Sequence, residues 1–210
     1  MQYREFGKTG EKVSALGFGC MRLPTLGNLT RSIDEPQAVR MIRNGIDNGI
    51  NYIDTAFFYH EGRSEGLVGK ALENGYRNKV LLATKSPFTG FKLGVEFDRI
   101  LDTQLKRLKT DHIDMYLLHA ANLKAWKNSA LKFDLLSKME RAREQGKIRY
   151  IGFSFHDNLD AFMTILNGYD HWDFCQIQYN YVDIDHQAGT KGLEAAAAKG
   201  LGVIVMEPLL

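Results

Sequence analysis

The chain has 210 residues, 44% of them hydrophobic and 25% charged, with a net charge of +2. That is globular composition with enough material for a real core, and its near-neutral, dispersed charge gives no electrostatic case for nucleic acid. No run approaches the roughly 18 apolar residues of a membrane span, and the charged start MQYREFGKTGEK lacks the apolar centre of a signal peptide.

In chain order, YREF and KVSA flank the turn GKTGE and predict a hairpin. Strand candidates then follow at LGFG (16–19), INYIDT (50–55), KVLLATK (79–85), HIDMYLLH (112–119), IRYIGFS (148–154), FCQIQYN (174–180) and GVIVMEPL (202–209). Several are nearly continuous apolar runs, as strands buried on both faces require. Helical stretches separate them. Asp34 with Gln37 reads as a capping box, Pro36 falls in the first turn, and Gly49 marks the end of that helix. Ser64 opens the next helix, which runs to about Gly75. Residues 95–108 carry Ile100, Leu101, Leu105 and Leu108 at helical spacing. Further helices are predicted over 131–145, 158–167 and 189–199, each followed by Gly.

Successive strand ends are about 26 to 35 residues apart, the length of a βα unit. Strict alternation means a parallel sheet, closed as an open doubly wound sheet or as an eight-stranded barrel. The even cadence favours the barrel. A dinucleotide-binding turn at GFGCMR would need Gly at position 22, where Arg22 stands. The whole chain reads as one domain, 1–210, with the hairpin plugging the barrel floor.

Other motif matches fail on spacing. A phosphate loop at GKT would need Gly in place of Gln2, and His60-Glu61 lacks a second His at the zincin position, which is Ser64. Histidines and cysteines show no zinc spacing, so no metal is expected. Cys20 and Cys175 lie too far apart to read as a disulfide framework, which points to a reducing cytoplasm. There the sequon Asn28-Leu29-Thr30 has no use.

In such a barrel, chemistry sits at the C-terminal strand ends. Those ends carry Asp54 with Tyr59 in the following loop, then Lys85, then His119, on three successive strands. Alone, each has an ordinary explanation: a turn residue, packing, a solvated terminus, a core histidine. Together they form a proton-donor system. Carbonyl reduction builds negative charge on oxygen, and a phenol with a pKa of about 10 donates poorly near neutrality. An adjacent ammonium lowers that pKa, and a buried Lys85 needs a carboxylate partner such as Asp54 to stay charged. His119 can then donate a hydrogen bond to the carbonyl oxygen.

The segments NYIDTAFFYH, LLATKSP, IDMYLLH, IRYIGFS, CQIQYN and GVIVMEPL, in this order, resemble the aldo-keto reductase family over essentially the whole chain. The resemblance implies an α/β fold, a (β/α)8 TIM barrel with an N-terminal β-hairpin. It also implies NADP(H)-dependent reduction of a small aldehyde or ketone, with NAD(H) as the alternative cofactor. Asp54, Tyr59, Lys85 and His119 match the family's catalytic positions. Ser154 and Gln176 match the nicotinamide-amide contacts. Phe155 stands where an Asn is usual, with His156 as a substitute. Met206 takes the place of a stacking aromatic, Pro208 and Leu209 border the pyrophosphate, and Gly19, Cys20 and Met21 border the ribose. Substrate walls are expected from Phe57, Phe58, Phe88, Trp126, Phe155 and His156, beside His119. IGFSFHD and VIVMEPL are most similar to a subgroup that often carries a ferredoxin-like iron–sulfur extension, but the cysteines for a cluster are not in this sequence. The chain stops after the seventh strand, so the barrel is expected to be incomplete, with unpaired edges on strands one and seven and a weak grip on the adenosine 2′-phosphate.

Overall fold

The computed structural model describes residues 1–27, 29–89 and 91–209, so Asn28 of the sequon lies outside the described residues. Helix α1 (Glu35–Asp47) starts where the Asp34 carboxylate accepts a hydrogen bond from the Gln37 backbone N–H at 3.1 Å. The expected capping box is only half formed, because the Asp34 N–H goes to the Pro24 carbonyl at 2.8 Å. At the far end Gly49 takes a left-handed φ of 95°. The Ile50 N–H then reaches the Gly45 carbonyl and the Gly49 N–H the Ile46 carbonyl, a Schellman closure that turns the chain into the next strand.

Strands β1 (Tyr3–Glu5) and β2 (Lys12–Ser14) form the antiparallel hairpin. Seven parallel strands follow in chain order: β3 (Phe18–Gly19), β4 (Tyr52–Asp54), β5 (Leu81–Ser86), β6 (Ile113–Ala121), β7 (Ile148–Phe155), β8 (Phe174–Gln178) and β9 (Gly202–Met206). Each pairs with its neighbours in sequence. Helices α2 (Ser64–Ala71), α3 (Glu96–Leu108), α5 (Leu135–Glu144), α6 (Leu159–Asn167) and α7 (Gly189–Ala198) fill the crossovers, with a short α4 (Leu123–Ala125) running into a π-helical turn, Trp126–Leu131. The result is a curled, incomplete (β/α)8 barrel in which, among the described residues, β3 and β9 are the edge strands. The helix expected from 131 begins only at Leu135, because the π turn takes the residues before it. On α3 the buried stripe is Phe97, Leu101, Gln104 and Leu108, while Ile100 and Leu105 are only half-buried.

Strand alternation divides the core in two. Ile53, Leu82, Tyr116, Leu118, Ile151, Phe153, Cys175 and Ile177 face the helices and join the outer core. Tyr52, Leu81, Ala83, Met115, Leu117 and Phe174 form a separate inner cluster with Phe6 and Val13 from the hairpin. The hairpin therefore does plug the floor. Its Lys8 N–H bonds the Gly200 carbonyl at 2.8 Å. Gly7, at φ 54°, passes so close to β9 that a Cβ there would meet the Gly202 nitrogen at 2.3 Å. Beside the floor, buried Asp114 accepts hydrogen bonds from the Leu82 N–H and Arg149 and pairs with Arg77 at 2.7 Å.

Candidate active site

The inner-face alternation continues to the top of the barrel. Two residues beyond Tyr52 is Asp54, two beyond Ala83 is Lys85, two beyond Leu117 is His119, and two beyond Phe174 is Gln176. The apolar inner layer thus ends in a polar rim built by the same period of two. At His119 the pairing of β6 with β7 shifts register between Leu118 and Ala121, and Ala120 adopts a left-handed φ of 51°. Such a bulge re-aims side chains at a rim.

Lys85 is fully buried, and its ammonium has four partners. It donates to both Asp54 oxygens at 2.7 and 2.6 Å, to the Thr55 carbonyl at 2.9 Å and to the Tyr59 hydroxyl at 3.3 Å. The Tyr59 and His119 rings meet edge to face with centroids 5.7 Å apart. The structure therefore gathers all four side chains into one cluster.

The electrostatics of the cluster differ from expectation in one respect. Burial raises the Tyr59 phenol above its ordinary value, and the Asp54 charge adds to that, while Lys85 opposes both and does not win. The expected net lowering by Lys85 is thus reversed, and the hydroxyl is kept protonated, the form able to donate. For Lys85 itself, burial acts downward, but the Asp54 charge, Tyr59 and their hydrogen bonds together hold its pKa above that of an ordinary lysine. His119 is lowered to about 3, first by burial and then by the Lys85 and His156 charges, so the imidazole is neutral at working pH.

Behind this cluster lies a second polar network that sequence patterns do not announce. Glu65, fully buried on α2, accepts hydrogen bonds from Thr84 at 2.7 Å, Gln104 at 2.7 Å and Arg107 at 3.2 Å. Gln104 also donates to the Lys85 carbonyl at 3.1 Å and accepts from Tyr116 at 2.7 Å. Arg107 donates to the Phe57 carbonyl at 3.3 Å and lies over the Phe57 ring at 4.4 Å. One carboxylate thus braces both the strand of Lys85 and the loop of Tyr59. The available signal was Gln104, a polar residue in the apolar stripe of α3. Ser64 opens α2 as expected, but its side chain caps no backbone N–H of that helix. Its hydroxyl is buried, 2.9 Å from Thr55 Oγ1, and donates to the Cys20 carbonyl at 3.0 Å.

The remaining expected site residues divide by face. Phe155 shares the parity of Ile151 and Phe153, points outward and packs edge-on against Phe162 of α6 at 5.1 Å, so it does not wall the inner cleft. Phe88 and Trp126 are likewise buried in the outer core. Phe57 is half-buried against Phe58, which is exposed. Cys20 is fully buried in the outer core, its thiol pushed up by burial, so only its backbone is available to a ligand there. Gly19 and Met21 beside it are exposed. Met206 is half-buried at the end of β9, and Pro208 and Leu209 are exposed beyond it. His156 is exposed, with Nδ1 3.4 Å from Gln187 Nε2.

The rim fits a nicotinamide dinucleotide on three observations. Gln176 is 4% exposed, yet its Oε1 has no hydrogen-bond partner among the described residues, so a buried acceptor awaits a donor such as a carboxamide. Across β7, Ser154 Oγ accepts from the Ala120 N–H at 2.8 Å, leaving the hydroxyl proton to donate. Gly19 has open space where a Cβ would stand, which allows a flat ligand to approach the backbone.

A family model described as "Aldo/keto reductase family" matches residues 15–210. Among curated proteins, the aldo-keto reductase YhdN of Bacillus subtilis is 33% identical over 176 residues, covering 79% of this chain and 51% of that protein. L-galactose dehydrogenase of Arabidopsis thaliana is 29% identical over 217 residues, covering 100% of this chain and 66% of that protein. Among solved structures, the holo form of aldo-keto reductase AKR11C1 from Bacillus halodurans superposes with a TM-score of 0.77 at 27% identity, covering 99% of this chain and 66% of that one. The chain therefore spans between about half and two thirds of the length of these relatives. With the model matched from residue 15 onward and the parallel strands and floor hairpin in place, the chain belongs to the aldo-keto reductase family.

Proposed function

We propose that this chain supplies the catalytic rim of an NAD(P)H-dependent oxidoreductase that reduces a small aldehyde or ketone to an alcohol. The observation that carries the reading is the buried Lys85 ammonium, held by both Asp54 oxygens and reaching the Tyr59 hydroxyl. Tyr59 is the proton donor. Held protonated by burial, it gives up its proton as the carbonyl oxygen gains negative charge, and Lys85 stabilises the phenolate left behind. Asp54 keeps Lys85 charged in a place where burial alone would neutralise it. His119, neutral, donates a hydrogen bond that orients and polarises the carbonyl oxygen without adding a charge that would compete with Lys85.

NADP(H), or NAD(H) in the same cleft, would supply the hydride. Gln176 Oε1 and the Ser154 hydroxyl would hold its carboxamide, and Gly19, Met21, Met206, Pro208 and Leu209 would border the rest. Phe57 and His156 remain the candidate substrate-side residues, since Phe155 is turned away. A cytoplasmic site of action suits two cysteines that are free and buried.

The test is Tyr59→Phe, assayed by NADPH oxidation across a panel of aldehydes. Loss of general-acid help should lower kcat by about 10²- to 10⁴-fold with unchanged cofactor affinity and circular dichroism. Wild-type turnover in the variant would refute the donor role. NADPH binding without turnover in the wild type would favour a cofactor-sensing protein on this scaffold.

A further inference from the structure

His60, the residue after Tyr59, has no part in the chemistry above, yet its surroundings are specific. It is buried, at 8% exposure. His60 and Glu61 both take left-handed backbone, with φ of 52° and 55°, immediately before Gly62. Two consecutive non-glycine residues there cost about 1 kcal/mol or more each and persist only when surrounding contacts hold them. The contacts are visible. His60 Nδ1 lies 2.6 Å from the Thr30 carbonyl oxygen, and the Leu23 backbone N–H donates to His60 Nε2 at 3.0 Å. Beside them, Thr30 Oγ1 donates to the Glu61 carboxylate at 2.9 Å.

Leu23 and Thr30 belong to the long loop between β3 and α1, one on each arm. The two arms are closed by the Thr25–Ile33 bridge and the Asp34 N–H to Pro24 carbonyl bond. The same loop begins at Gly19 to Met21, and its Cys20 N–H is bonded to the Asp54 carbonyl at 2.7 Å. A single imidazole therefore fastens this loop to the turn that carries Tyr59. A backbone N–H can only donate and a carbonyl can only accept. Nε2 must therefore be the bare nitrogen and Nδ1 must carry the proton.

We infer that His60 is a positioning residue for the reduction: a neutral imidazole in the Nδ1–H tautomer that locks the loop after β3 onto the Tyr59 turn and so sets the Tyr59 hydroxyl against Lys85. The inference rests on the reading of Tyr59 as proton donor, and it predicts more than stability. Lys85 is fixed to Asp54 from its own strand, and the cofactor-facing Ser154 and Gln176 stand on β7 and β8. Freeing the Tyr59 turn displaces the hydroxyl most directly, while the loop's start at Gly19 to Met21 stays tied by the Cys20 N–H to the Asp54 carbonyl, so the loss falls mainly on kcat.

The experiment has two arms. In the first, ¹⁵N NMR of histidine-labelled protein should show His60 as the Nδ1–H tautomer, and the Leu23 amide should exchange slowly. A His60 in the Nε2–H form, or a fast Leu23 amide, overturns the proposal. In the second, His60→Leu, which can make neither bond, should lower kcat by about tenfold to a hundredfold, the penalty of an ångström-scale misplacement. Cofactor affinity should change less than kcat does, since the cofactor-bordering start of the loop keeps its own bonds from the Cys20 N–H to the Asp54 carbonyl and from the Ser64 hydroxyl to the Cys20 carbonyl. His60→Gln, which keeps one donor and one acceptor, should recover part of the rate. Wild-type kcat in His60→Leu, or a fall in melting temperature with kcat of the folded fraction unchanged, overturns the positioning role. Tyr59→Phe run alongside separates the two claims: full activity there sinks the donor reading, whereas the tautomer result concerns the lock alone.

Discussion

Replacing Asp54 by Asn removes one charge from the cluster and almost no volume. Lys85, fully buried, would keep the Thr55 carbonyl and Tyr59 hydroxyl as partners but lose the carboxylate that accepts at 2.6 and 2.7 Å. Breaking a buried pair from one side typically costs about 3–5 kcal/mol. Lys85 has an escape, which is to fold as the neutral amine. From an ordinary lysine pKa of about 10.4, deprotonation at pH 7 costs about 4.6 kcal/mol, and at pH 9 only about 2 kcal/mol. In the wild type the folded pKa is raised, so the stabilisation is fully present below the unfolded value and is lost as pH climbs through the folded one. In the variant the folded pKa is depressed, so its penalty shrinks as pH rises. The stability gap between the two proteins should therefore be about 3–5 kcal/mol at pH 7 and narrow to about 2 kcal/mol at pH 9. Urea unfolding followed by the fluorescence of buried Trp126 and Trp172 would measure it. A gap under about 1 kcal/mol at pH 7, or one that stays constant to pH 9, would refute the argument that Asp54 holds the ammonium.

Three further outcomes can be checked. His119 has its pKa lowered to about 3, so His119→Gln should leave the shape of the rate–pH profile between about pH 5 and 8 unchanged while reducing the rate. By linkage, the unfolded chain takes up a proton that the folded His119 refuses, so wild-type stability should fall as pH drops below about 6.5, and His119→Gln should lessen that fall in acid denaturation. Gly152→Ala would set a methyl 2.6–2.8 Å from three ring atoms of Phe174 inside the barrel, and thermal unfolding should register about 1–3 kcal/mol of overpacking.

Much of the frame was readable in sequence because its signals are local. Apolar runs, Asp34 and Gly49 mark element ends through hydrogen bonds within a few residues, and the regular cadence of units specifies the barrel. The four-residue cluster was readable for the same reason, since each member closes or follows an apolar run. What escaped depends on direction and on distant partners. Ser154 and Phe155 are adjacent, yet one faces the rim and the other α6, a distinction set by strand parity rather than by residue type. Nothing local marks Glu65, because Thr84, Gln104 and Arg107, which make its burial tolerable, come from other elements. The direction of the Tyr59 shift could not be read either, because it depends on how much burial outweighs a charge at 3.3 Å.

The contact of Gly7 with Gly202, and of Lys8 with Gly200, joins the floor hairpin to the edge strand β9. Every residue between them must therefore leave the ribosome before this contact can form. Until then Phe6 and Val13 can cover only the inner residues that have already emerged, such as Tyr52, Leu81 and Met115, and the β9 side of the cluster is open to water from below. Closing so long a span is entropically late and kinetically slow. Nascent chains should thus pass through a stage in which the upper rim is assembled over an unsealed base, and that stage is where chaperone capture and misassociation would concentrate.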